Sequence, residues 1–213
     1  MSPRTSKQYE EIREEKIALI MDTALEHFAN EGYFSTTINH IARHAGISKG
    51  LMYNYFESKE ALLKAIMHKS IAEVLNYFDI DRDGYLSEEE FEFFIRKINV
   101  MLKEKRLFWR LLFQLLMQND VREQFLKSFA GADSREQSET VPGLNLPASQ
   151  IMNMITDYFI RRKEKLGEGY DPVIELRMFL ITIKGFAMTS IYSDDGEDDN
   201  NEKAINRIIE LYK

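Results

Sequence analysis

Apolar residues recur at three- and four-residue intervals almost from end to end of this chain, and no alternating runs are joined by tight hairpin turns. A period near 3.6 places apolar residues on one face of a helix, whereas a strand needs a period of two, so the pattern restricts the chain to an all-α fold. Ile17, Ile20, Met21, Ala24, Leu25 and Phe28 mark the stripe of a first helix over about residues 7 to 31. Gly32 ends it by accepting left-handed backbone. Thr37 then caps a short helix in TINHIARHA, broken at Gly46, and Ser48 caps a second ending near Phe56. Ser58 caps a longer helix reaching about Phe78. After DIDRDGYLSEEE the periodicity resumes as one long segment to about Phe129, and the polar stretch GADSREQSETVPGLNLP predicts a loop. Further helices are expected at about 148 to 166, 171 to 192 and 202 to 213.

Composition narrows the function. A chain of 213 residues that is 44% hydrophobic can bury a substantial core in one or two domains. With no cysteine, disulfide scaffolds, thiolate metal sites and cysteine nucleophiles are excluded. The charged start MSPRTSKQYEEIREEK has no apolar export segment, which predicts a cytoplasmic protein. The most apolar stretch, MFLITIKGFAMTSIY, is too short to span a bilayer and carries Lys184, so no membrane segment is expected. A net charge of −7 argues against a nucleic-acid partner until its distribution is seen. Residues 1 to 70 balance 9 basic against 9 acidic side chains, which leaves the excess of −7 to the remainder. Residues 32 to 56 hold no Asp or Glu but carry Arg43, Lys49, His40 and His44. A surface free of carboxylates can approach phosphates.

Two short helices joined at Ala45-Gly46-Ile47-Ser48 meet the needs of a helix-turn-helix: a small residue, a glycine for the turn and a capped second helix. Ile38, Ile41, Ala42, Ile47, Met52 and Phe56 are placed to point inward, leaving Lys49, Leu51, Tyr53, Asn54 and Tyr55 outward. That outward set suits DNA: Lys contacts phosphate or guanine, Asn reads adenine, Leu touches a thymine methyl and tyrosine hydroxyls bond phosphates. The stretch TTINHIARHAGISKGLMYNYFESKEALLKAI resembles the N-terminal domain of TetR-family regulators through Thr37, Ile41-Ala42, Ala45-Gly46-Ile47-Ser48, Gly50, Tyr53, Phe56 and Lys59. The resemblance covers roughly residues 10 to 70. It implies a three-helix DNA-binding domain over residues 1–57, with helix 58–78 connecting it to a larger helical effector-binding and dimerisation domain over 58–213. It further implies that Thr37, Ser48, Lys49, Tyr53, Tyr55 and Lys59 hold the DNA backbone, with Gly50 beside them and Leu51 and Asn54 facing bases. Asn54 departs from the aromatic or histidine often found there, which bears on base preference.

For the C-terminal body the resemblance is one of architecture, and it implies a homodimer released from double-stranded operator DNA by a small-molecule effector. PVIELRMFLITIKGFAMTSIY is apolar on nearly all sides, so a second surface must cover it. Met178, Phe179, Ile183 and Phe186, with Ile205, Ile208 and Ile209 of the last helix, are the expected dimer interface. Phe108, Trp109, Phe113, Met117, Met152 and Phe159, with Tyr158 and Phe186 nearby, are candidates to line an effector cavity; the competing reading is ordinary core. Arg161-Arg162-Lys163 suits an anionic ligand or a solvated helix end.

An enzyme draws little support, because the chain holds no Gly-rich phosphate loop, no G-x-S-x-G elbow and no H-E-x-x-H. His40 and His44 share one helix face at metal-ligating spacing, but in a DNA-facing segment solvent or phosphate contact is the stronger expectation. No cofactor is required by this reading. The alternative is a calcium-responsive or calcium-stabilised DNA-binding protein, because DIDRDGYLSEEE, residues 79–90, matches an EF-hand loop. Asp79, Asp81, Asp83, the Tyr85 carbonyl, Ser87 and a bidentate Glu90 would be the Ca²⁺ ligands. EF-hands usually pair and no second copy appears; the plain reading is an acidic turn capping the next helix.

Overall fold

The computed structural model describes residues 6–75, 83–117, 148–193 and 198–213, and these are helices with short connections. Its first four helices are α1 (Ser6–Glu31), α2 (Ile38–His44), α3 (Lys49–Tyr55) and α4 (Lys59–Leu75). They are followed by α5 (Glu88–Glu104), α6 (Arg106–Leu116), α7 (Ala148–Leu166), α8 (Pro172–Tyr192) and α9 (Asp198–Tyr212). The all-α fold expected from periodicity is present.

Two apolar cores organise the described residues. In the first, Ile20, Ala24 and Phe28 of α1 meet Ile41 of α2, Met52 of α3 and Leu62 and Met67 of α4. In the second, Phe91 and Ile95 of α5 pack with Tyr158 and Phe159 of α7, Phe179 and Ile191 of α8, and Ile208 and Tyr212 of α9. Phe91 stacks on Tyr158 at 4.4 Å between ring centroids, 8° from parallel. α6 belongs to both cores: Phe108, Leu111 and Leu115 enter the first, Phe113 enters the second, and Trp109 packs against each.

That double duty explains why the long helix expected after the acidic run is two helices. Phe91, Ile95, Ile98 and Leu102 form one buried stripe, which extrapolates along a straight helix to Lys105 and Trp109. Beyond the break Phe113 stays near that face and in the second core, while Phe108, Leu111 and Leu115, buried in the first core, are offset by one position or about 100° of rotation. Lys105 takes up the change with φ −116 and ψ 34, outside helical values. α6 thereby crosses from the body to α1, where Gln114 donates to the Ala29 carbonyl at 3.1 Å. Arg106, at the start of α6, caps the far end of α8 through the carbonyls of Ile191 (2.9 Å) and Ser193 (2.7 Å). The last helix begins at Asp198, four residues before the start expected near residue 202.

Candidate DNA-binding surface

The turn between α2 and α3 is built from local chemistry. Thr37 Oγ1 accepts the His40 N–H at 3.2 Å and Ser48 Oγ accepts the Leu51 N–H at 3.1 Å, so each short helix has one otherwise orphaned donor satisfied. Gly46 sits between them at φ +65, the left-handed backbone an L side chain resists. The Ile47 N–H closes the turn on the Ala42 carbonyl at 3.0 Å.

Packing then fixes which face α3 presents. Met52 is fully buried and Phe56 is 9% exposed, and burying two such side chains stabilises the docking by roughly 1.5–3 kcal/mol each. Ile38, Ile41 and Ala42 are buried beneath α2, as their spacing predicts, and Ile47 is half-buried. With that face committed, Ser48, Lys49, Gly50, Leu51, Tyr53 and Asn54 are exposed, as is Thr37 at the head of α2. Tyr55 is half-buried and leans on the first core. A Cβ placed on Gly50 meets no atom within 4 Å, so nothing in the chain requires glycine there.

Lys59 is placed differently from the phosphate contact expected of it. Its ammonium donates to the carbonyls of Tyr33 (3.0 Å), Thr36 (3.1 Å) and Phe34 (3.5 Å) and lies 4.4 Å from the Tyr33 ring centroid. Three donors meeting three carbonyls hold the α1–α2 connection against α4. Tyr33 adds a hydrogen bond to Glu60 Oε1 at 3.2 Å, and burial together with that carboxylate raises the phenol above its ordinary pKa. The Glu60 backbone N–H and the Ser58 hydroxyl hold the Glu60 carboxyl below its usual range.

The other expected sites are dispersed. Phe108 lies in the first core and Phe113 and Phe159 in the second, Trp109 touches both, and Met117 and Met152 are 61% and 46% exposed. A cavity of about 290 Å³ opens elsewhere, between α1, α4 and the α5–α6 junction, lined by Met21, Leu25, Ile66, Ser70, Lys105 and Phe108 among others. Of the expected dimer residues, Phe179, Ile205, Ile208 and Ile209 are buried within the single chain, and Ile183 and Phe186 pack at the edge of the same core. Met178 is 48% exposed and lies on an uncovered stripe of α8 with Ile174 and Ile181.

Arg161 donates to the Leu86 carbonyl at 2.7 Å and stacks on the Tyr85 ring at 3.9 Å, and Arg162 donates to the Lys213 carbonyl, while Lys163 is exposed. In the acidic loop, Asp79 and Asp81 lie outside the described residues. In the described part, Asp83 Oδ1 accepts the Tyr85 N–H at 2.7 Å. Ser87 and Glu90 form a reciprocal capping box that starts α5: the Glu90 N–H donates to Ser87 Oγ at 3.1 Å, and Glu90 Oε2 accepts the Ser87 N–H at 3.0 Å.

Comparison with known proteins agrees with this geometry. A family model described as bacterial regulatory proteins, tetR family, matches residues 20–66, from within α1 into α4. The chain is similar to YuxN of Bacillus subtilis, an uncharacterised HTH-type transcriptional regulator, at 47% identity over 66 residues, 29% of this chain and 23% of that one. The matches span only 23% of YuxN and 17% of YerO, another uncharacterised HTH-type transcriptional regulator of the same organism. The fold as a whole is similar to the fatty acid degradation regulator FadR of Bacillus halodurans, with a TM-score of 0.67 at 18% identity, covering 92% of this chain and 94% of that one. FadR of Bacillus subtilis, solved with stearoyl-CoA, gives 0.65 at 20% identity over 92% and 97%. Among the described residues, no helix is long and apolar enough to cross a membrane.

Proposed function

We propose that the chain is a transcriptional regulator of the TetR type, a cytoplasmic repressor that as a homodimer grips a pseudo-palindromic operator and releases it on binding a small-molecule effector. The observation that carries this reading is the α3 surface: Lys49, Gly50, Leu51, Tyr53 and Asn54 are all exposed, while Met52 and Phe56 anchor the helix from behind. Thr37, Ser48, Lys49, Tyr53 and Tyr55 contact phosphates, Leu51 and Asn54 face bases, and Lys59 acts by holding the connection beneath them. Residues 1–57 form the DNA-reading unit and 58–213 the effector-binding and dimerisation unit. Two copies meet through the uncovered α8 stripe of Ile174, Met178 and Ile181, which are 57%, 48% and 56% exposed in the single chain. The fold likeness to a regulator solved with stearoyl-CoA makes long-chain acyl-CoA the first effector to test. The calcium alternative gains nothing from the described part of the loop, residues 83–90.

The experiment is selection of bound duplexes from random DNA, followed by gel shift across a salt series. Lys49→Ala is expected to weaken binding to the selected operator and to lower the salt slope by about one unit, the loss of one phosphate contact. Unchanged affinity and slope would remove α3 as the reading helix.

A further inference from the structure

Three of the chain's four histidines meet where α2 crosses α1. His27 lies on the buried side of α1 at 9% exposure, and His40 and His44 stand one turn apart on α2. Their ring centroids form a nearly equilateral triangle with sides of 4.6, 4.5 and 4.5 Å. One ring nitrogen from each lies within 4.8 Å of the others. Glu31, one turn beyond His27, closes the group: its Oε1 accepts from His27 Nδ1 at 2.7 Å and its Oε2 stands 3.3 Å from His40 Nδ1. A carboxylate can only accept, so the proton of His27 sits on Nδ1 and its Nε2 carries the lone pair. That Nε2 is 2.5 Å from His44 Nδ1.

We propose that His27 Nε2, His44 Nδ1 and a ring nitrogen of His40 bind one divalent transition metal of the zinc class, with Glu31 orienting the His27 ring. Neutral imidazoles suit Zn²⁺, Ni²⁺ and Cu²⁺, and three of them leave a fourth position open to water. A carboxylate behind a ligating histidine fixes its tautomer and strengthens it as a ligand, the part Glu31 plays here. Zn–N bonds of 2.0–2.1 Å put two tetrahedral ligands roughly 3.3 Å apart, so the His27–His44 pair must open by less than about 1 Å. His44 is exposed, which leaves its ring free to make that shift. Without metal, the His44 Nδ1–H donates to His27 Nε2. Binding moves that proton to His44 Nε2 by exchange with water, so the neutral ring keeps its charge.

A hydrogen-bonded pair explains His27 and His44 alone. The metal site also explains why a third ring, from the same helix face as His44, closes the triangle beside the carboxylate. The metal staples α1 to α2 and adds to the stability of the head, whatever α3 binds.

The test is calorimetric titration of untagged, chelator-treated protein with Zn²⁺, repeated with Co²⁺ to read its visible d–d bands. The expected result is one metal per chain with the strong absorption of a four-coordinate site. His44→Ala and His40→Ala, which open no core, are each expected to weaken binding at least tenfold, and Glu31→Gln by roughly 10- to 100-fold. His68→Ala, the histidine outside the cluster, is expected to leave binding unchanged, and circular dichroism verifies that each variant is folded. Absence of Zn²⁺ binding at submillimolar metal overturns the proposal. Binding of equal affinity in a folded His40→Ala/His44→Ala variant overturns it as well, because the metal then sits elsewhere.

Discussion

Gly50→Ala separates what the fold needs from what the DNA needs, because the two give opposite signs. Gly50 is the second residue of α3, lies on its exposed face and meets no atom within 4 Å of an added Cβ. Its backbone does not require glycine, in contrast to Gly46 at φ +65. An alanine there loses less chain entropy on folding than glycine and is expected to stabilise the protein by about 0.4–1 kcal/mol. For a chain of this length that raises Tm by about 1–4 °C. A methyl at the same place keeps the DNA backbone from closing on the helix, so operator affinity is expected to fall about tenfold, or about 1.4 kcal/mol. Differential scanning calorimetry reads the first effect and a gel shift at fixed salt the second. A variant that melts higher and binds the operator as tightly as the wild type would refute close approach at this residue. A variant that melts lower would refute the claim that the space around Gly50 is empty.

Three further outcomes follow from the geometry. Gly46→Ala forces a side chain into left-handed backbone and is expected to destabilise the head by roughly 1–2 kcal/mol, read as a lower urea midpoint with an unchanged m-value. Met178→Glu and Ile181→Glu, both exposed in the single chain, are expected to yield folded monomers by light scattering, whereas Ile208→Glu, in a core position, is expected to unfold the body. Glu90→Gln keeps a side chain able to complete the capping box with Ser87, so its metal-free Tm is expected to match the wild type. Heat from Ca²⁺ in the wild type that vanishes in this variant would restore the EF-hand reading of residues 79–90.

What was legible in the chain and what was not divides by the range of the interaction that decides it. The caps at Thr37 and Ser48, the turn at Gly46 and the burial of Met52 beneath an exposed Lys49 are settled within about twenty residues. Periodicity and capping preference therefore suffice for them. Lys59 was not legible, since the carbonyls that hold its ammonium come from residues 33, 34 and 36, across two helices. The stripe of Ile205, Ile208 and Ile209 declares that α9 must be covered. It is silent on whether the cover comes from the same chain or a second copy, and here the chain supplies it. The all-round apolarity of α8 has two causes: Phe179, Ala187 and Ile191 serve the chain's own core, while Ile174, Met178 and Ile181 face away from it. The histidines show the same limit most sharply. His40 and His44 advertise a ligand pair through their spacing, as do His27 and Glu31 on α1, but each pair alone offers too few donors to hold a metal. Only the crossing of α1 and α2, imposed by the apolar core beneath them, brings three imidazoles to one point. A chemical site of this kind is a product of packing, and its residues can be located in a sequence only after the helix crossing that unites them is known.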